Sequence, residues 1–449
     1  MAHAYLSERI VTPDGVVSGA LLVDGGTIVS IGPVGALPGD VARTDFGGMA
    51  ILPGLVDAHV HINEPGRTEW EGFATATRAA AAGGFTTLVD MPLNCLPETT
   101  TVAHLELKRV AAAGKCFVDW AAWGGAVADN QEHILPLAQA GVPGYKCFLI
   151  YPGCDGFTMI DREQLERALP FIAESGLPLL VHAELAGPIE EAVDLLAGAD
   201  WRSYRTYLAS RPDEAELEAI RMLIELCRTY KFRLHIVHLS TALALPELAA
   251  ARAEGLPITV ETCPHYLYFA AERIPGGNTL YKCAPPIRSE ENREALWGAL
   301  RDGVIDLIAT DHSPCPPAMK GLEHGRFDKA WGGIASLSVA VSVVWTEAVK
   351  QGFGLEDLVR WMGSAPARLA GMEERIGSLE VGREASFVVF DVEASWVPAA
   401  EDLHFRHKVS PYVGEKLTGR VVGTYLRGVT VFGEDGFASV CEGRELRLR

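Results

Sequence analysis

Eight short apolar runs, separated by longer segments with apolar residues at helical spacing, constrain the fold of this chain most strongly. Short apolar runs that alternate with helix-length segments are typical of βα units in a parallel sheet. Eight consecutive units predict a TIM (β/α)8 barrel, a fold that carries its chemistry at the C-terminal ends of its strands. The runs are LPGLVDAHV (52–60), FTTLVDMP (85–92), CFVDWAAWG (116–124), GYKCFLI (144–150), PLLVHAE (178–184), RLHIVHLS (233–240), ITVETCPHY (258–266) and DLIATDHSP (306–314).

The segments on either side of the predicted barrel are built differently. Residues 1–51 and 376–449 contain short strand-like runs broken by turn dipeptides such as DG and GG, which are β signals. A chain of 449 residues exceeds the usual size of one core, so a second, smaller domain is expected. We therefore predict an α/β protein in which residues 52–375 form the barrel and both chain ends form one small β-sandwich domain.

Composition disfavours several classes of partner. The formal net charge of −19 disfavours binding to nucleic acid or to anionic membranes. No run approaches the roughly 20 apolar residues that span a bilayer, and the opening residues MAHAYLSERIVTPDG lack the pattern of a signal peptide.

Nine cysteines, mostly within strand-like runs, favour reduced thiols over disulfides. We expect a cytoplasmic protein that acts on a small molecule.

Polar side chains stand at the C-terminal ends of five predicted strands. His59 and His61 end the first strand, and because residues i and i+2 share a face, both imidazoles can reach one ion. An HxH pair is short, and two hydrogen-bonded histidines at a strand end explain it equally well. Lys146, within GYKCFLI, is unfavourable to bury as an ammonium unless it reaches the rim or pairs with a carboxylate.

Three further strand ends favour the metal interpretation. His182 ends the fifth strand, and Asp311 follows the eighth. In the sixth strand His235 and His238 face opposite sides, so we expect His238, nearer the C-terminal end, to point inward and His235 to be structural. Four histidines, one lysine and one aspartate on the same rim predict a metal site.

These motifs resemble those of a known family. HVH near the start of a barrel, a lone lysine in the fourth strand, VHAE, HLS and ATDHSP are similar to the amidohydrolase superfamily, in its cyclic amidohydrolase branch. The resemblance covers nearly the whole chain, including the tail GSLEVGREASFVVFD, which resembles the family's return into its small β domain. It implies a barrel hydrolase and a homotetramer.

The resemblance also implies a role for each polar group. Lys146 would react with CO2 to give N6-carboxylysine, which bridges two divalent metals. A hydroxide shared by the metals would attack a cyclic amide, with Asp311 moving its proton to the leaving nitrogen. Zinc is expected first, although cobalt, manganese and iron also suit such ligands. The other predicted ligands are His59, His61 and Asp311 for one metal and His182 and His238 for the second.

Within the branch, the loop NEPGRTEWEGF and the stretches DMPLNCLPET, KCAPPIR and KAWGGI resemble the allantoinases. This implies hydrolysis of the hydantoin ring of allantoin, a cyclic ureide, to allantoate. Dihydroorotases usually carry Arg two residues after the second His, to bind a carboxylate, whereas this chain has Asn63. A neutral substrate is consistent with that difference, because a buried guanidinium without an anionic partner would oppose it.

The resemblance also predicts the residues that contact the substrate. Asn94 would contact it directly, and the backbones of Cys283 and Gly333 would bind the amide edges of the ring. Asn63, two residues after the second metal-binding histidine, is also expected to contact the substrate. Arg67 would either recognise the ureido arm or brace its own loop, and we favour the brace.

Other functions remain open from sequence alone. Tyr151, five residues after Lys146, stands where hydantoinases and dihydropyrimidinases carry an oxyanion donor, so ring opening of that type is the alternative. A noncatalytic assembly protein of the branch is disfavoured because all six ligand positions are filled. A single-metal deaminase is disfavoured by the lysine.

Overall fold

The computed structural model describes residues 2–448. Its first strands lie before the barrel and contribute to the small β domain. They are β1 (His3–Thr12), β2 (Gly15–Asp24), β3 (Thr27–Gly32), β4 (Ala42–Asp45) and β5 (Ala50–Pro53).

The next strands form the predicted barrel, all eight runs contributing to it. Neighbouring strands pair in parallel from β6 to β8 and from β9 to β14. The third run divides around Trp123 into two strands, and His312 bridges the eighth run to the first at Val60. They are β6 (Leu55–Val60), β7 (Phe85–Asp90), β8 (Asp119–Ala122), β9 (Gly124–Gly125), β10 (Tyr145–Phe148), β11 (Leu179–His182), β12 (Leu234–Ile236), β13 (Ile258–Thr262) and β14 (Leu307–Ile308).

The helices lie between and after the barrel strands. They are α1 (Phe73–Ala82), α2 (Val102–Ala112), α3 (Ile134–Gln139), α4 (Arg162–Ser175), α5 (Ala186–Asp194), α6 (Tyr204–Ala209), α7 (Asp213–Tyr230), α8 (Leu245–Ala253), α9 (Pro264–Tyr268), α10 (Glu290–Arg301), α11 (Ala340–Lys350), α12 (Leu355–Val359) and α13 (Ala365–Leu369). Local sequence explains several boundaries. The Asp161 side chain accepts from the backbone of Gln164 in a capping box that begins α4, and Gly176 ends the helix in the left-handed conformation, as expected for a glycine cap.

The two chain ends meet in one sheet, as predicted. The last strands are β15 (Phe387–Trp396), β16 (Leu417–Leu426), β17 (Val429–Gly433) and β18 (Gly436–Phe437). β5 pairs antiparallel with β15, so the nine strands form one continuous hydrogen-bonded sheet and not two separate ones. Tyr5, Phe387 and Tyr425 pack together in its core.

A segment between β15 and β16 returns to the barrel rim. The backbone N–H of Arg406 donates to the buried carboxylate of Glu71, and a ring nitrogen of His407 lies 2.8 Å from the carbonyl oxygen of Glu69. The small domain thereby anchors the loop NEPGRTEWEGF. Within residues 2–448, no helix is long and apolar enough to cross a membrane.

Candidate metal centre

Three of the predicted ligands converge at one point of the rim. His59 and His61 lie at the end of β6, and Asp311 follows β14. The Asp311 Oδ1 atom lies 3.3 Å from His59 Nε2 and 3.4 Å from His61 Nε2. All three ligand atoms lie within 4.8 Å of one another, so a single ion can reach them all.

The outer partners of these histidines fix their tautomers. His61 Nδ1 lies 2.8 Å from the carbonyl oxygen of Leu93, which only accepts, so Nδ1 carries the proton and the Nε2 lone pair faces Asp311. His59 Nδ1 lies 2.5 Å from the buried Glu261 carboxylate, with the same consequence. Metal-binding histidines are commonly oriented by such partners.

A second pair of imidazoles stands beside the first. His182 Nδ1 and His238 Nε2 lie 3.0 Å apart, and His182 Nε2 donates to Glu184 at 2.7 Å. Glu184 also accepts two hydrogen bonds from Arg211. The Nδ1 lone pair of His182 therefore faces His238, and the two nitrogens can share a second ion.

Lys146 lies fully buried on β10, which pairs with β11, the strand that ends at His182. Its Nζ has no hydrogen-bond partner among residues 2–448 and lies 4.8 Å from the centre of the Phe148 ring. Burial lowers the pKa of Lys146 to about 8, although Glu261 and Asp311 oppose the shift. An amine in this state is nucleophilic near neutral pH, and carboxylation would turn an unpaired buried cation into an oxygen ligand.

Protonation states around the cluster suit bound cations. Burial lowers the pKa of His59, His182 and His238, so these imidazoles are neutral at pH 7. Burial alone would raise the pKa of Asp311, but His59 and His61 hold it at about 2, which keeps the carboxylate ionised. Neutral imidazoles and an ionised carboxylate are the forms that bind metal, so the residues present fit two divalent ions.

A cavity of about 690 Å³ opens above the cluster. Among the predicted substrate contacts, Asn94, Gly333 and Tyr151 line it, whereas Asn63, Arg67 and Cys283 do not. The remaining wall is mostly apolar and aromatic, with Phe148, Ile150, Ile189, Val193, Trp201, Tyr207 and Trp331.

Three of the residues predicted to contact the substrate already form hydrogen bonds within the protein. Asn63 donates weakly to the carbonyl oxygen of Pro314. The Cys283 carbonyl accepts from the Tyr207 hydroxyl at 2.6 Å, and the Gly333 N–H donates to the Lys282 carbonyl at 2.8 Å. A ring contact through Cys283 would have to use its backbone N–H, and one through Gly333 the second lone pair of its carbonyl oxygen, which already accepts from Lys320.

Arg67 and Tyr151 lie differently from what recognition of substrate requires. The Arg67 guanidinium packs 4.9 Å from the centre of the Trp70 ring and donates to the Cys154 sulfur, which is a bracing position. The Tyr151 hydroxyl donates to Asp155 at 2.6 Å, and the residue is 58% exposed. Tyr151 can reach an oxyanion only after this hydrogen bond breaks.

Sequence reasoning missed the carboxylates behind the ligands. Glu261 accepts from His59, from His235 and from the backbone of His238, and Glu184 orients His182. A signal for Glu184 was present, because it stands two residues after His182 and so on the same face. His235, predicted to be structural, lies between Glu261 and Thr259.

A closed parallel barrel with a His-His-Asp cluster at the C-terminal ends of its strands defines a class, the metal-dependent barrel hydrolases. Comparison with known proteins narrows this class. The Amidohydrolase family model matches residues 50–431, and the model named Allantoinase, composite domain, matches residues 5–37.

Individual relatives agree with these models. The chain is 46% identical to the allantoinase of Streptomyces avermitilis over 96% of this chain and 95% of that protein. It is 44% identical to the allantoinase of Arabidopsis thaliana, over 97% of this chain and 89% of that protein. The L-hydantoinase (dihydropyrimidinase) of Arthrobacter aurescens superposes with a TM-score of 0.93 at 29% identity, covering 100% of both chains.

The chain belongs to the amidohydrolase family, whose members are metal-dependent. Within that family it groups with the allantoinases, and it is an enzyme that hydrolyses cyclic amides.

Proposed function

We propose that this chain opens the hydantoin ring of allantoin to give allantoate, using the six rim residues as its catalytic centre. The observation that supports this most directly is the convergence of His59 Nε2, His61 Nε2 and Asp311 Oδ1 beside the unpartnered amine of Lys146. The relatives named allantoinase, at 40–46% identity, support the choice of substrate.

Two divalent ions, with zinc expected first, would be held as the sequence predicts. His59, His61 and Asp311 would hold one and His182 and His238 the other, with carboxylated Lys146 contacting both. When bound, such ions polarise a carbonyl and lower the pKa of water, which supplies the nucleophile at neutral pH.

The chain's own residues manage the proton and the geometry. The ionised Asp311 is suited to take the proton of the attacking water and to deliver it to the ring nitrogen as the C–N bond breaks. Glu261 and Glu184 fix the imidazole orientations. Asn94 at the cavity wall orients the substrate, and the apolar lining limits the access of bulk water.

A substrate panel tests the proposal. Metal-replete enzyme is assayed with allantoin, hydantoin, dihydrouracil and dihydroorotate, with Asp311→Asn as the inactive control. We expect the highest kcat/KM for allantoin. A preference for unsubstituted hydantoin or dihydrouracil would instead support the hydantoinase alternative, which the spacing of Tyr151 from Lys146 in the sequence and the similarity to the Arthrobacter aurescens structure favour.

We further propose a homotetramer in a reducing, cytoplasmic compartment. The nine cysteines are all free, and eight of them are buried, as expected for a reducing environment. Light scattering on the purified enzyme measures the molar mass of the assembly directly. The mass of a monomer would contradict the proposed homotetramer.

A further inference from the structure

One wall of the cavity contributes none of the six predicted ligands. It is formed by Lys282 and Ala284 from one segment and by residues 331–333 from another. The buried Lys320 ammonium donates to the carbonyl oxygens of Trp331 and Gly333, and the Gly333 N–H donates to the Lys282 carbonyl. These hydrogen bonds hold the two segments together, so a side chain on this wall has a defined position.

Most charged groups lining the cavity are already paired. Arg211 donates through Nε and Nη2 to Glu184, at 3.1 and 2.8 Å. Asp328 accepts at both oxygens from Arg326. Each of these two groups therefore has an oppositely charged partner within the protein.

Lys282 is different. Its Nζ donates to the carbonyl oxygen of Ala330 at 2.6 Å, which uses one of its three hydrogens, and it lies 5.3 Å from the centre of the Tyr207 ring. Among the described residues, no carboxylate forms an ion pair with it. Burial first, and then the neighbouring Arg211 and Lys320, lower its pKa to about 8, although the negative charge of Asp328 opposes the shift. A largely desolvated ammonium with spare donors thus lies on the cavity wall.

We propose that Lys282 is a specificity-determining residue, whose ammonium donates a hydrogen bond to the carbonyl oxygen of a ureido substituent on the substrate ring. This inference rests on the proposed function, since allantoin is hydantoin with a ureido arm. The scissile ring carbonyl must lie beside the metal ligands, and the backbones of Cys283 and Gly333 are expected to bind the amide edges of the ring. The Lys282 side chain lines the cavity beside them, so it is available to the substituent. A urea oxygen is a strong neutral acceptor, and an ammonium held by Ala330 is already positioned for it. Recognition of the ureido arm, which the sequence also left open for Arg67, is therefore assigned to Lys282, because Arg67 does not line the cavity.

The test separates binding of the arm from binding of the ring. Lys282→Met keeps the length of the side chain and removes its donors, and Lys282→Leu is a second variant without donors in case the first does not fold. Lys282→Arg retains a donor, and the exposed Lys416 supplies the control Lys416→Met. For each variant, KM and kcat are measured with allantoin, and hydantoin is titrated as a competitive inhibitor.

We expect the neutral variants to raise KM for allantoin by about 10- to 100-fold, the usual effect of a hydrogen bond from a charged donor. Hydantoin, which lacks the arm, should keep its inhibition constant, and Lys282→Arg should recover most of the affinity. An unchanged KM for allantoin, or an equal loss for allantoin and hydantoin, would overturn the inference. Failure of the proposed function would appear separately, as a wild-type enzyme that does not open allantoin.

Discussion

Replacing Lys146 by Met should stabilise the metal-free protein. The same substitution should abolish the activity of the metal-replete enzyme. The Lys146 amine is fully buried without a hydrogen-bond partner in the described chain. Methionine has a similar length and no charge, so it fills the same space without the desolvation penalty. Most substitutions of buried residues destabilise a protein. An increase in the free energy of unfolding is therefore a specific outcome that few other substitutions would give.

The magnitude follows from the pKa of Lys146. Its value falls from 10.5 in the unfolded chain to about 8 in the folded one, so the unfolded chain binds the proton more tightly. The resulting penalty is present in full below pH 8 and disappears as the pH rises past about 10.5. At pH 7 it amounts to about 3 kcal/mol, and at pH 9.5 to about 1 kcal/mol.

The assay is guanidinium unfolding of chelator-treated protein in bicarbonate-free buffer, at pH 7 and at pH 9.5. Lys146→Met should be more stable than wild type at pH 7, with a smaller advantage at pH 9.5. Lys416→Met, at an exposed position, should match wild type at both. A Lys146→Met variant no more stable than wild type at pH 7, or with the same advantage at both values, would refute this reasoning.

Three further substitutions test individual roles. Asp311→Asn should keep the fold and lower kcat by about 10²- to 10⁴-fold, as loss of general acid–base catalysis does; near-normal turnover with intact circular dichroism would remove its proton-transfer role. Tyr151→Phe should lower kcat by about 10²- to 10³-fold if the hydroxyl leaves Asp155 for the oxyanion, whereas Asp155→Ala should not; an unchanged kcat for Tyr151→Phe would make it an ordinary rim residue. Glu261→Gln should weaken metal binding by about 10- to 100-fold, because an amide is a poorer acceptor for His59; competition with a chromogenic chelator measures this, and undiminished affinity would contradict it.

The barrel was predictable because its signals are local. Strand runs, helical spacing and terminal glycines are read within ten or twenty residues, and the structure confirms all eight runs. The position of His59 and His61 on one face also follows from the two-residue repeat of a strand. The pairing of β5 with β15 was expected only from the similar composition of the chain ends.

What could not be predicted depends on contacts between distant segments. Glu261 is an unremarkable strand residue in sequence, and its role comes from the neighbouring positions of His59 and His235. The position of Lys282 on the cavity wall depends on a distant segment, because the Gly333 N–H donates to the Lys282 carbonyl. The outward hydroxyl of Tyr151 is set by Asp155 only four residues away, but in a loop whose turn the sequence does not specify.

The joint sheet of the two chain ends has a consequence for biosynthesis. Pro53 pairs with Phe387, and a ribosome that adds about 10 residues per second needs roughly half a minute to travel between them. During that interval β5 has no β15 to cover its edge, and an uncovered apolar strand invites association with other nascent chains. Chaperone dependence during expression should therefore be greatest for ribosome-bound chains that have completed the barrel but not yet released the last strands.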